Sequence, residues 1–150
     1  MRSVLAASAL PTEGLVRYRH WDNAVDADVD FEAKRLADLS PPLAIAKSLG
    51  TVIAARAFCT HRFRPRSAIL IGTPYGAGEP ADLACLRQLA EGVETLFIQQ
   101  TEDPGGAASR LAASLRLSQS EVTTVPGNDH VYADVQALAA VIREWQRKAR

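Results

Sequence analysis

Short β-rich runs alternate with helical patterns along this chain, and the connections between them are brief. That alternation constrains the fold more than any other feature. Parallel neighbouring strands cannot be joined by a tight hairpin; they need a crossover of a dozen or more residues, which a helix supplies. The runs at residues 15–21, 43–46, 67–72, 94–99 and 121–125 read as strands. Helical patterns fill 26–39, 51–63, 81–89, 107–115 and 133–147. In the last of them Val135, Leu138, Ala139, Ile142 and Trp145 share one apolar face. Pro41 and Pro42 close the first helical pattern, and Pro65 breaks the second. The expected fold class is α/β, a doubly wound, mostly parallel sheet of about five to six strands with helices on both faces. Residues 1–150 form one domain in this reading.

Composition fits that expectation and narrows the partners. Hydrophobic residues make up 47% of the 150, enough to fill a core. Seventeen basic residues balance seventeen acidic ones, so no surface of one sign is expected to seek nucleic acid or an anionic membrane. The basic end after Arg143 suits the last turns of a helix, where positive charge meets the dipole. No stretch approaches the roughly 18 apolar residues of a membrane span. The apolar run in the first ten residues is short, with one arginine and no clear small-x-small cleavage site after it, so no secretory leader is expected. The expected location is cytoplasmic. Cys59 and Cys85 fall in helical patterns without a CxxC spacing or a histidine partner, which points to reduced thiols. No metal site or cofactor motif is read. The glycines between Gly72 and Gly78 have neither the phosphate-loop nor the dinucleotide spacing.

In parallel sheets, ligands bind beyond the carboxyl ends of the strands, so chemistry is sought there. Ala46-Lys47-Ser48-Leu49-Gly50 lies between a strand and a helix. A serine hydroxyl becomes a nucleophile only when it is presented to a base and the developing oxyanion is stabilised. A tight strand-to-helix turn presents it, provided the positions two before and two after are small. Ala46 and Gly50 meet that demand, and Leu49 opens the helix with a free N–H. The segment resembles the nucleophile elbow of the α/β hydrolases, usually G-x-S-x-G, with alanine at the first position. The bland reading of Ser48 is an ordinary helix N-cap.

The resemblance continues at two further strand ends. The run from Thr95 to Gln100 leads into Thr101-Glu102-Asp103-Pro104, similar to the strand whose loop delivers the family's acid. Asp103 matches that position, with Glu102 as the fallback. A turn residue before Pro104 is the alternative for Asp103. The final run leads into Pro126-Gly127-Asn128-Asp129-His130, similar to the family's histidine loop, and a helix follows as it does there. The other histidines are His20, at a strand end, and His61, read as a surface residue in a helix. The intervals leave room for two strand–helix units between Ser48 and Asp103, and one between Asp103 and His130. Tyr75, Trp21 and His20 are read either as pocket walls or as rings packed under loops.

The resemblance implies a small, lidless serine hydrolase. Ser48 would be the nucleophile, His130 the base, Asp103 the acid and the Leu49 N–H an oxyanion donor, acting on a small-molecule ester, thioester or amide. The front of the chain departs from the family, which places one more strand before the one ending at Trp21 and draws a second oxyanion donor from the loop after it. Residues 2–10 are read instead as a helix or an atypical strand, and no His-Gly-type loop is seen. That departure supports an alternative: a catalytically impaired scaffold that binds a partner or dimerises through an exposed sheet edge. A nucleotide-binding domain is a weaker third reading, because the glycine fingerprint is absent.

Overall fold

A computed structural model describes residues 2–8, 10, 28–75, 80–115 and 122–148. Ten elements follow one another: α1 (Arg2–Ala7), α2 (Val29–Arg35), β1 (Leu43–Lys47), α3 (Leu49–Thr60), β2 (Ser67–Ile71), α4 (Pro80–Gly92), β3 (Glu94–Gln100), α5 (Ala108–Leu115), β4 (Val122–Val125) and α6 (Val135–Lys148). The protein is α/β. Among the described residues the sheet has four strands in the order β1-β2-β3-β4, every pair parallel, rather than five to six. The strand expected at 15–21, with His20 and Trp21, lies outside the described residues.

The strand order fixes the layers. The chain advances one strand at a time in a single direction, so right-handed crossovers place α3, α4 and α5 on one face. Side chains alternate across the strands accordingly. Ala68, Leu70 and Phe97 face that layer and pack with Leu86, Leu89 and Leu111. Ile69, Ile71, Leu96 and Ile98 face the other side, where Val4 of α1 and Leu138 and Ile142 of α6 cover them. Strands covered on both faces explain the unbroken apolar runs of β2 and β3.

Helix α3 is the pivot of its layer. Thr51, Val52, Ile53, Ala54, Ala55 and Ala57 are all buried, because α2, α4 and the sheet surround it. Its Arg56 donates to Asp82 of α4 (Nε to Oδ1, 3.1 Å) and to Asp30 of α2 (Nη1 to Oδ1, 2.7 Å). One guanidinium thereby ties three helices. The helix begins earlier and ends sooner than its sequence pattern, at Leu49 and Thr60. His61 therefore lies at the helix's C-terminal boundary in extended backbone, not within the helix, and Phe63 is buried against Ala33, Ile53 and Ala57.

Two outcomes follow. Phe97 has no exposed surface, so Phe97→Ala is expected to lower unfolding free energy by roughly 3–5 kcal/mol in urea titrations. Cys59 and Cys85 are free thiols. Burial, then the hydrogen bond with Cys85, pushes the Cys59 thiol up to about 12. At pH 8 Cys59 is then almost wholly the unreactive thiol. An aromatic disulfide reagent is expected to react with it slowly in the native protein and rapidly after denaturation.

Candidate active site

Ser48 occupies the single residue between β1 and α3, half-buried, with φ 54° and ψ −130°. A residue with a Cβ rarely adopts such backbone, at a cost of roughly 1–3 kcal/mol. Its N–H donates to the Ile71 carbonyl (2.9 Å), and its carbonyl accepts from the Thr51 N–H (2.9 Å) and Oγ1 (2.8 Å). The peptide on either side is thus held. Although the residue stands at the N-cap position, its hydroxyl makes no capping bond. Oγ turns instead to His130 Nε2, 2.8 Å away.

Asp103 sits three residues past β3 with its side chain wholly buried. Oδ1 accepts from the Gly105 N–H (2.7 Å) and lies 2.8 Å from His130 Nδ1. Oδ2 accepts from the Tyr132 hydroxyl (2.7 Å). Pro104 and the Gly105–Gly106 pair let the chain double back under the carboxylate, with φ 138° at Gly106. Glu102 is exposed and takes no part in this cluster.

His130 has the longest reach. Neighbouring strands lie about 4.8 Å apart, so roughly 14 Å separates β4 from β1. The loop after β4 carries the imidazole across that width, with φ 60° at His130. Gln100 supports the loop from the end of β3. Its Oε1 accepts from the His130 N–H (2.9 Å) and the Asp129 N–H (3.1 Å), and its Nε2 donates to Asp129 Oδ1 (2.9 Å). That donor bond, first among several, holds the Asp129 carboxyl below its ordinary range. Lys47 Nζ donates to the His130 carbonyl from below (3.2 Å). Burial pushes the Lys47 ammonium down, and Asp103 and Asp129 work the other way.

A bare position at the end of β2 makes the crossing feasible. Gly72 has φ 61°, and a Cβ there would fall 2.7 Å from Tyr132 Cε2 and 3.2 Å from His130 Cε1. Gln99, one residue before Gln100, points to the opposite face. It accepts from the Thr73 N–H (2.8 Å) and donates to the Gly106 carbonyl (2.7 Å), joining the loops after β2 and β3. Tyr75 packs under Gly106 and donates to the Ala107 carbonyl (3.0 Å), so it is a loop-packing ring. Sequence reasoning missed both glutamines and Tyr132. The available signal was two amides ending an otherwise apolar buried strand, since buried amides demand partners.

No family model, curated protein or solved structure matches this chain.

The arrangement is a continuous hydrogen-bonded series from hydroxyl to imidazole to carboxylate. With an ionised Asp103, the Nδ1 proton faces Oδ1 and the Nε2 lone pair faces the Ser48 hydroxyl. Leu49, at the first position of α3, has an N–H without an intrahelical acceptor. The series depends on the Gln100 clamp. Gln100→Ala is expected to lower stability by roughly 1–2 kcal/mol, because two part-buried loop amides lose their acceptor. Hydrogen exchange should quicken at residues 129 and 130 more than in the sheet; equal protection there would show that the clamp is dispensable.

Proposed function

We propose that this protein is a serine hydrolase of the α/β-hydrolase type, cleaving an ester, thioester or amide through an acyl-enzyme. One observation carries the reading. Ser48 Oγ, His130 and Asp103 lie in series at 2.8 Å and 2.8 Å, with the serine on a strained turn that leaves its hydroxyl unused by the helix it precedes. An N-cap serine would have spent that hydroxyl on α3.

In this mechanism His130 Nε2 takes the Ser48 proton as Oγ attacks the acyl carbon, and the carbonyl π electrons move onto oxygen. The Leu49 N–H, at the positive end of α3, donates to that oxyanion. Asp103 accepts from Nδ1–H and stabilises the imidazolium. Collapse of the tetrahedral intermediate expels the leaving group, which takes the proton from Nε2 and leaves Ser48 acylated. His130 then draws a proton from water, whose oxygen attacks the acyl carbon. Expulsion of Oγ, reprotonated by His130, releases the carboxylic acid. The substrate class is a small acyl compound. A doubly wound sheet of five to six strands belongs to the same proposal.

Treatment with a fluorophosphonate probe is expected to label the native chain on Ser48. Ser48→Ala should abolish labelling and reduce hydrolysis of p-nitrophenyl esters by a factor of at least about 10³. Esterase activity that survives Ser48→Ala would remove the proposal.

A further inference from the structure

Tyr132 lies two residues beyond His130, also in left-handed backbone (φ 59°), and its side chain is buried. An aromatic residue adopts that conformation only where its surroundings hold it there. Here the ring is seated over Gly72 and meets the His130 ring edge-on, with centroids 6.1 Å apart and planes at 76°. The Lys47 ammonium lies 5.6 Å from its centroid. The hydroxyl oxygen accepts from the Gln100 N–H (2.9 Å), the first backbone donor released by the end of the sheet. Its own proton goes to Asp103 Oδ2 (2.7 Å). Giving one bond and receiving another fixes the hydroxyl's direction. Burial, then the Asp103 bond, holds the hydroxyl far above the ordinary tyrosine range, so it stays a donor at any working pH.

The two oxygens of Asp103 are therefore distinguished. Oδ1 serves His130 and the Gly105 N–H, while Oδ2 serves Tyr132 alone among the described contacts. Rotating the carboxylate about Cβ–Cγ would break the Tyr132 bond together with the one to Gly105. We propose that Tyr132 is a positioning residue that acts through Asp103, locking the carboxylate so that Oδ1 stays aligned with His130 Nδ1. This rests on the hydrolase reading above, and it adds a fourth side chain to the series.

A double-mutant cycle on the full chain tests it. Tyr132→Phe removes one oxygen and keeps the ring. It is expected to slow fluorophosphonate acylation of Ser48, and kcat on a p-nitrophenyl ester, by about ten- to a hundredfold with KM unchanged. In an Asp103→Asn background the same substitution should change the rate by less than about twofold, because the group it acts through is already altered. Equal losses in the two backgrounds, or no loss in the native background, would overturn the proposal. Should the native chain resist the probe, the hydrolase reading fails by itself. The downfield proton resonance of His130 Nδ1–H then decides on Tyr132. Loss of that resonance in Tyr132→Phe, with retention in Ser48→Ala, supports positioning; retention in both rejects it. If Tyr132→Phe does not fold, the native Tyr132 hydroxyl proton provides the reading. Slow exchange with solvent supports the lock, and exchange too fast to observe refutes it.

Discussion

A carboxylate without exposed surface is tolerated only where donors replace the water it has lost. Asp103 imposes that demand at the edge of the sheet, and much of the surrounding architecture answers it. The Gly105 N–H arrives because Pro104 turns the chain back immediately. The His130 Nδ1–H arrives because a loop from β4 crosses the sheet, and the Tyr132 hydroxyl comes from the same loop. The Pro-Gly-Gly turn and the histidine loop thus share one task, delivering donors to this carboxylate.

The geometry is held under strain. Ser48, His130 and Tyr132 all have positive φ, where side chains crowd the backbone. Such conformations survive only when neighbours over-determine them. For Ser48 the neighbours are the Ile71 carbonyl and the buried helix α3. For the histidine loop they are Gln100, Lys47 and the gap left by Gly72. The two adjacent glutamines divide the work at the end of β3, one for each face of the sheet. Rigid strands thus fix the loops that carry the chemical groups.

Much of this was legible in the sequence, for physical reasons. Strand–helix alternation follows from burial on both faces of a parallel sheet, and the runs ending in Ser48, Asp103 and His130 marked three carboxyl ends of strands. The structure brings those three side chains together. Boundaries were less legible, because a helix ends where its last turn finds partners. Pro65 suggested a helix to Phe63, yet α3 stops at Thr60 and Phe63 turns inward to fill a gap beside α2. The two amides ending β3 signalled that they needed partners. Which partners Gln99, Gln100 and Tyr132 take was illegible, because those contacts are with residues 26 to 32 positions away. An amide or a phenol announces no partner in its own sequence neighbourhood.

The strand order has a consequence for cooperativity. Because β1 to β4 lie side by side in the order they are made, each strand meets its neighbours across short stretches of chain. The bond from Ser48 to His130 is different: it spans 82 residues and ties the opposite margins of the described sheet. Fraying at either margin breaks it while the middle strands remain paired, since local openings need far less free energy than global unfolding. The hydroxyl–imidazole contact is therefore vulnerable to local opening at either margin of the described sheet. That contact should open on warming before the core melts.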